Sequence, residues 1–328
     1  MSEKIEIIET APGIHLSVQI AGSGPLVILI HGWPELGLSW RHQIGPLAAA
    51  GYTVAVPDMR GYGGSSKPAE ISQYAPDALA DDMAAIAKAL GARHWVAIGH
   101  DWGAPVAWRC AQRFADAVIG VYGLSVPHIP TPQPPQGAPQ ISATAMLDLA
   151  FPDRFYYVSY FQEPGIAEAE LDRDVRANLK KIYFALSGDA PADEWLAPRP
   201  KQGPMLPGLV DPPAGPLSFM TDAVLDQYAE QFSKGGFFGP VSWYRNLDLT
   251  ARQGLAYGDQ RIRQPAGFLC GSKEIFLTMM PGSVENLPEY CDDLRASVIL
   301  PGAGHWVQQE RPDEVTRALL DFLSGIAT

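Results

Sequence analysis

The sequence predicts an α/β protein in which a mostly parallel sheet, flanked by helices, is interrupted by an inserted helical segment. Two observations indicate this fold class. Short, continuously apolar runs alternate with helical patterns, as in parallel sheets whose strands are buried on both faces. The alternation stops at Pro127 and returns near Pro265. We therefore expect two core segments, 1–126 and 246–328, separated by a helical cap over 127–245.

The first core segment shows two kinds of strand. In the two N-terminal strands apolar residues alternate with polar ones, which indicates that one face of each strand is exposed. Later runs are continuously apolar, which is typical of strands covered on both faces. The expected strands are residues 5–9, 14–20, 26–30, 52–56 and 118–126, together with a run that ends at Gly99. Helices are expected at 39–50 and between Pro76 and Gly91, because proline favours a helix start and glycine a helix end.

The expected cap shows no pattern of a buried strand. Helical spacing places apolar residues on one face in two stretches, and proline-rich loops (127–139 and 198–216) lie between the helices. Such stiff, irregular loops suit a lid over a site better than a second sheet domain. The two apolar faces consist of Val175, Leu179, Ile182 and Leu186, and of Leu225, Tyr228 and Phe232. The second core segment offers strands at 265–270 and 296–300 and a final helix with Val315, Leu319, Phe322 and Leu323 inward.

Composition and charge argue against several classes of protein. The chain has 24 basic and 36 acidic residues, a net charge of −12 and no basic cluster, so nucleic-acid binding is not expected. No apolar run approaches membrane-spanning length and no signal-peptide pattern opens the chain, so a soluble, cytoplasmic protein is expected. Cys110, Cys270 and Cys291 are far apart, which suits reduced, buried thiols. We expect no metal and no cofactor, and either a monomer or a homodimer.

One stretch indicates a reactive residue. It reads Gly99-His100-Asp101-Trp102-Gly103 and lies between a strand pattern and a helical pattern. Small residues two before and two after Asp101 allow the close strand–turn–helix passage that presents its apex residue at the carboxyl edge of a sheet. At a helix N-terminus Asp101 should stay ionised, so it is a nucleophile that needs no base. The alternative is that Asp101 only caps a helix, where Asp is favoured.

His305 is the expected general base. It lies in Gly302-Ala303-Gly304-His305-Trp306, just after the last strand and hence at the same sheet edge as Asp101. The chain order of nucleophile, acid and histidine is that of α/β-hydrolases. A histidine can activate water near neutral pH, although an exposed loop histidine without a catalytic role is the alternative.

The acid that pairs with His305 and the donors that stabilise an oxyanion are expected on other loops. The base needs a carboxylate to fix its tautomer, and the strand that ends near Cys270 is followed by Glu274, our choice for this acid. Weaker alternatives are Asp259, Glu285 and Asp292, or an unremarkable surface role for Glu274. The backbone N–H groups of Trp33 and Trp102 are positioned to stabilise an oxyanion, and both indole rings are expected to line the pocket.

Four stretches, together with Gly304-His305-Trp306, are specific enough to indicate a family. They are His31-Gly32-Trp33-Pro34-Glu35, Gly99-His100-Asp101-Trp102-Gly103, Tyr160-Phe161-Gln162-Glu163-Pro164-Gly165 and Gly239-Pro240-Val241-Ser242-Trp243-Tyr244-Arg245-Asn246. Through them the whole chain resembles the epoxide hydrolases of the α/β-hydrolase fold. The core stretches are shared with haloalkane dehalogenases, whereas the two cap stretches are specific. The resemblance implies that Tyr160 and Tyr244 donate hydrogen bonds to the epoxide oxygen; the chain departs from many relatives in having Glu274 where they have aspartate.

The sequence thus predicts hydrolysis of an apolar epoxide by water to a vicinal diol. Asp101 would form an ester with a substrate carbon, and water activated by His305 and Glu274 would hydrolyse it. A phenol with an ordinary pKa of about 10 remains protonated and can donate to the leaving oxygen. The expected pocket residues are Trp33, Pro34, Trp102, Phe155, Phe161, Met279 and Trp306. Alternatives are a haloalkane or haloacid dehalogenase with the same nucleophile and a catalytically silent, ligand-binding hydrolase fold.

Overall fold

The sheet at the centre of the molecule is built from apolar strands, as the sequence predicts. In β3 and β5 every residue is buried. The computed structural model describes residues 3–133, 141–191 and 194–326; residues 134–139 of the expected proline-rich loop lie outside them. The strands are β1 (Lys4–Ala11), β2 (Ile14–Gly22), β3 (Leu26–Ile30), β4 (Thr53–Pro57), β5 (Trp95–His100), β6 (Val118–Leu124), β7 (Ile262–Gly271) and β8 (Cys291–Leu300).

The eight strands form one sheet in the order β1-β2-β4-β3-β5-β6-β7-β8. β1 and β2 pair antiparallel to each other, and β2 pairs antiparallel to β4. From β4 to β8 all neighbours are parallel. The predicted mostly parallel α/β fold is therefore confirmed, and the carboxyl ends of β3, β5, β7 and β8 lie along one edge.

Helices cover both faces of the sheet because alternate strand residues point to opposite sides. The helices of the described residues are α1 (Arg41–Ala49), α2 (Pro76–Ala89), α3 (Gly103–Arg113), α4 (Ala143–Ala150), α5 (Tyr157–Tyr160), α6 (Ile166–Leu171), α7 (Val175–Ala185), α8 (Asp222–Gly235), α9 (Phe238–Ser242), α10 (Leu247–Ala256), α11 (Ile275–Met279), α12 (Leu287–Tyr290), α13 (Val307–Glu310) and α14 (Pro312–Ser324). Val27 and Leu29 belong to the core beneath α1 and α14, whereas Ile28 and Ile30 belong to the core beneath α2 and α3.

The last two strands are longer than the sequence pattern indicates. β7 begins three residues before the expected Pro265, and β8 begins five residues before the expected Ala296. β8 is an edge strand whose residues are mostly exposed or half-buried, so polar side chains such as Asp293 and Arg295 hide the strand pattern.

The helices between β6 and β7 pack over the carboxyl edge of the sheet. The apolar faces predicted for α7 and α8 are buried, and these two helices pack against each other. The hydrogen bonds between this region and the core include those from Tyr183 Oη to the Pro34 carbonyl (2.9 Å), from Trp306 Nε1 to the Tyr183 carbonyl (2.8 Å) and from Trp243 Nε1 to the Arg60 carbonyl (3.1 Å). In the part of the chain that the structure describes, no helix is long and apolar enough to cross a bilayer.

Candidate active site

Asp101 occupies the sharp turn between β5 and α3. Its φ of 52° lies in the left-handed region, which is uncommon for a residue other than glycine. The flanking glycines make this turn possible. A Cβ on Gly99 would lie 2.0 Å from the Gly103 carbonyl oxygen, and a Cβ on Gly103 would lie 2.1 Å from the Ile30 carbonyl oxygen. The backbone around Asp101 is therefore that of a nucleophile elbow rather than an ordinary helix cap.

The Asp101 carboxylate is buried, with 8% of the residue exposed, and both of its oxygens are engaged. Oδ1 accepts a hydrogen bond of 2.6 Å from the Trp33 backbone N–H, and Oδ2 lies 3.2 Å from His305 Nε2. Burial alone would raise the pKa of Asp101, but the hydrogen bond and charge of His305, the nearby His100 and the Trp102 backbone N–H outweigh it and lower that pKa. The carboxylate is thus held in its ionised form.

His305 lies between Asp101 and Glu274. Its Nδ1 is 2.9 Å from Glu274 Oε2 and 3.1 Å from Oε1, and only 2% of Glu274 is exposed. Because a carboxylate only accepts hydrogen bonds, Nδ1 carries a proton and Nε2 faces Asp101. Burial lowers the pKa of His305, but Glu274 and Asp101 together raise it well above the usual value. The structure therefore brings Asp101, His305 and Glu274 together, with His305 in contact with both carboxylates.

The other carboxylates considered for the acid lie elsewhere. Asp259 pairs with Arg263 at 3.0 Å, Asp292 pairs with Arg261, and Glu285 is exposed. Glu274 also accepts a hydrogen bond of 3.2 Å from the Phe276 backbone N–H at the start of α11. Glutamate has one methylene more than the aspartate that many relatives carry. Hydrogen bonds to the start of α11 and to His305 nevertheless hold the Glu274 carboxylate beside the histidine.

A buried polar network behind His305 was not singled out from the sequence. The His305 carbonyl accepts hydrogen bonds from His100 Nε2 (2.7 Å) and Ser125 Oγ (2.8 Å). His100 Nδ1 lies 2.7 Å from Glu35 Oε2, and Glu35 Oε1 accepts from Gln308 and Gln309. Glu35 is the sequence signal that could have indicated this network, because it is an acidic residue beside apolar residues in the loop that follows β3.

The two tyrosines expected at the site lie in different surroundings. Tyr244 is 3% exposed, and its ring centroid is 5.0 Å from that of Trp102 and 5.8 Å from that of Trp33. Tyr160 is not at the cavity, because its hydroxyl donates to Glu170 Oε2 at 2.9 Å.

Tyr157 takes the place expected for Tyr160. It lines the cavity together with Tyr244, and the two ring centroids are 5.8 Å apart. Burial, with a smaller contribution from Asp101, raises the pKa of both phenols well above the usual value, so both stay protonated. Three tyrosines within five residues (156, 157 and 160) gave no sequence signal for which of them faces the site.

Asp101 and His305 open onto a narrow cavity of about 20 Å³. Its other walls are Trp33, Tyr157, Leu186, Trp195, Tyr244, Ile275 and Phe276. Of the expected pocket residues, Trp33 lines it and the others do not. Phe161 and Trp102 pack behind Tyr244, and Trp306 packs behind His305.

The last three expected pocket residues lie further away. The Pro34 carbonyl accepts from Tyr183, Phe155 packs against Tyr160 and Arg199, and Met279 ends α11. The wall residues Leu186, Trp195, Ile275 and Phe276 were missed because aliphatic and aromatic residues that fill a core and those that line a cavity look alike in a sequence.

The arrangement provides the groups for nucleophilic attack and for hydrolysis of the resulting ester. It has an ionised carboxylate, a histidine–carboxylate pair within reach of it, backbone N–H donors on the carboxylate and two protonated phenols that line the same cavity. Such a set can open a strained carbon–oxygen bond and activate water at the same place.

Comparison with known proteins identifies the family. Residues 25–161 match the alpha/beta hydrolase fold family. The chain is 40% identical to Epoxide hydrolase A of Mycobacterium tuberculosis over 99% of both chains. It belongs to the epoxide hydrolases of the α/β-hydrolase fold. This family member also superimposes on two solved structures with a TM-score of 0.90 each. One is Epoxide Hydrolase A from Mycobacterium thermoresistibile (39% identity, 99% of both chains), and the other is an epoxide hydrolase from an endophytic Streptomyces (37% identity, 99% of this chain and 95% of that one).

Proposed function

We propose that this protein hydrolyses an apolar epoxide to a vicinal diol in two steps, with residues 127–245 as a cap over the reaction. The observation that carries the proposal is one cavity lined both by an ionised carboxylate and by two protonated phenols. A phenol pair without a nucleophile would only bind an oxygen, and a nucleophile without donors would leave a developing alkoxide unstabilised.

In the first step, Asp101 Oδ2 attacks an epoxide carbon and the carbon–oxygen bond breaks. Tyr157 and Tyr244 donate hydrogen bonds to the leaving oxygen, and one of them protonates it. Oδ1 stays on the Trp33 and Trp102 backbone N–H groups and becomes the carbonyl oxygen of the ester. Assignment of the phenol roles to Tyr157 and Tyr244, rather than to Tyr160, follows from the hydroxyl of Tyr160 being bound to Glu170.

In the second step, His305 Nε2 takes a proton from water, and the hydroxide attacks Cγ of Asp101. The charge that develops on Oδ1 is stabilised by the same two N–H groups. Glu274 stabilises the imidazolium, which then protonates the leaving alkoxide of the diol. The proton of the newly formed carboxyl group restores the ionised phenol, so one epoxide and one water give one diol.

A single turnover in heavy-oxygen water, with enzyme in excess over styrene oxide, tests the covalent route. We expect the label in the Asp101 carboxylate and unlabelled diol, because the diol oxygen comes from Oδ2. Mass spectrometry of the diol and of the peptide containing Asp101 measures both. Label found directly in the diol contradicts the ester, and halide release from a bromoalkane without any diol from an epoxide favours the dehalogenase alternative instead.

A further inference from the structure

The catalytic cavity is narrow compared with a substituted epoxide. Its volume of about 20 Å³ compares with the roughly 10–15 Å³ that a single water needs on the same measure. A substituent on the epoxide must therefore extend beyond the space between Asp101 and the two phenols.

A second cavity adjoins the catalytic one. It has a volume of about 170 Å³ and shares three wall residues, Leu186, Trp195 and Ile275, with the catalytic cavity. We call it the outer cavity and call these three residues the neck.

The walls of the outer cavity favour an uncharged, apolar occupant. Ala190, Leu196 and Leu277 line it beyond the neck. Its two charged wall residues already have partners, because Lys273 Nζ donates to the Gly188 carbonyl at 2.5 Å and Glu274 is bound to His305. A hydrocarbon substituent thus finds apolar contacts there and no unpaired charge to desolvate.

Two of the three neck residues are tied to the catalytic loops. The Leu186 carbonyl accepts a hydrogen bond of 2.9 Å from the His305 backbone N–H, and Ile275 directly follows Glu274. Trp195 lies instead on a short 3₁₀ helix, Glu194–Leu196, and its ring packs edge-on against Tyr157 with centroids 5.4 Å apart. We therefore expect the neck to widen at Trp195, because the backbones of the other two residues are joined to His305 or Glu274.

We propose that the outer cavity is a binding subsite for the longer apolar substituent of the epoxide and that Trp195 sets the width of substituent that passes the neck. This inference rests on the proposed function and names its substrate class: epoxides that carry an extended hydrocarbon chain on one carbon. Each methylene that enters the subsite is worth about fourfold in kcat/KM, the ratio that corresponds to about 0.8 kcal/mol.

The test compares 1,2-epoxybutane with 1,2-epoxyoctane, by diol formation, in three proteins. These are the parent, Thr278→Trp, which fills the outer cavity from its exposed rim, and Met280→Trp. Met280 is two residues further along, is exposed and lines neither cavity, so it is the matched control for added bulk. We expect the parent to prefer the longer epoxide, and Thr278→Trp to lower the octane-to-butane ratio of kcat/KM about tenfold, with Met280→Trp near the parent ratio.

Trp195→Ala provides the second variant. It should raise kcat/KM for 4-phenyl-1,2-epoxybutane relative to 1,2-epoxyoctane about tenfold, because a phenyl ring is wider than an alkyl chain. Circular dichroism and the melting temperature check that each variant is folded. If Trp195→Ala fails to fold, the octane-to-butane ratio of kcat/KM in Thr278→Trp tests the subsite on its own.

The outcomes separate the subsite from the proposed function. If Thr278→Trp leaves the octane-to-butane ratio of kcat/KM unchanged, the subsite is overturned, while epoxide hydrolysis by the parent protein still stands. Absence of diol from every epoxide with the parent protein overturns both.

Discussion

Tyr157 and Tyr160 are three positions apart in one helical turn, and their side chains lie in different surroundings. Tyr157 lines the catalytic cavity, whereas Tyr160 donates to Glu170, which also accepts the backbone N–H groups of Met205 and Leu206. At the residue scale, the Tyr160 hydroxyl is therefore engaged by a carboxylate on α6, whereas Tyr157 lines the cavity.

Replacing each tyrosine by phenylalanine tests this division. Tyr157→Phe should lower the rate of ester formation about a hundredfold, since it removes one donor to the leaving oxygen. Stopped-flow tryptophan fluorescence in a single turnover measures this step. Tyr160→Phe is the matched control: it should keep the rate and lose only about 1 kcal/mol of the free energy of unfolding. A large loss of rate in Tyr160→Phe instead would return the donor role to that residue.

The protonation of His305 depends on the charge of Asp101. Glu274 and Asp101 both raise the pKa of this histidine, and both lie within hydrogen-bond reach of its ring. In the proposed ester Asp101 carries no charge, so we expect the pKa of His305 to fall while Glu274 still holds Nδ1. Formation of the proposed ester would thereby favour the neutral imidazole that the proposed activation of water needs.

Asp101→Asn reproduces this loss of charge without an ester. Its His305 should titrate at a lower pH than in the parent, because the neutral amide removes the hydrogen bond and the charge that favour the imidazolium. Nitrogen and proton NMR of the imidazole across the pH range measures the shift. An unchanged or higher pKa would show that Glu274 alone controls the histidine.

The free energy of unfolding of the parent protein should depend on pH through the contacts of His305 with Asp101 and Glu274. The folded-state pKa of His305 is raised, so its contribution to stability is complete below the ordinary histidine pKa of about 6.5 and is lost as the pH rises through the folded value.

At the scale of elements, Glu310 on α13 ties the end of α7 to the catalytic loop. Its Oε2 accepts the backbone N–H groups of Gly188 and Gly304 at 2.9 Å each, and Oε1 accepts that of Trp306 at 3.0 Å. Burial raises the pKa of this carboxyl group, although the three N–H donors oppose the shift. One side chain thus fixes the backbone on both sides of His305.

Glu310→Ala leaves these three N–H groups without their acceptor. The free energy of unfolding, measured with urea, should fall by about 2–4 kcal/mol. Glu314→Ala, an exposed change on the neighbouring α14, should stay within about 0.5 kcal/mol of the parent. Equal, small effects of both substitutions would contradict the role of Glu310 in fixing the backbone around His305.

The elements that the sequence predicts best are those with the simplest environment. β3 has the expected bounds, 26–30, because every residue in it is apolar and buried. β8 starts earlier than expected because its outer residues face solvent. Asp101, His305 and Glu274 could be found because each follows a strand at a recognisable turn, whereas Tyr157 and Trp195 depend on how the segment between β6 and β7 folds back, which no local pattern encodes.

At the scale of the whole molecule, buried hydrogen bonds join the segment between β6 and β7 to the core. The bond from Tyr183 Oη to the Pro34 carbonyl lies next to Trp33, so it connects α7 directly to the loop that holds the Asp101 carboxylate. This contact gives the position of α7 a direct influence on the catalytic loop.

Tyr183→Phe removes that bond and leaves the carbonyl without a partner. Amide hydrogen exchange in α7 should become about tenfold faster, the effect of roughly 1.4 kcal/mol, while exchange in β3 and β5 stays at the parent rate. Mass spectrometry of peptides from these elements measures the difference. A uniform increase in all elements would indicate global destabilisation instead of local opening.

The hydrogen bond from the His305 backbone to the Leu186 carbonyl makes the histidine loop depend on a segment far from it in the chain. A truncated protein that retained only the sheet and its flanking helices would lose this support and with it the alignment of the base. Exchanging the whole segment between β6 and β7 for that of a relative would likewise alter chemistry as well as selectivity, so engineering of new substrates is better confined to side chains along the neck.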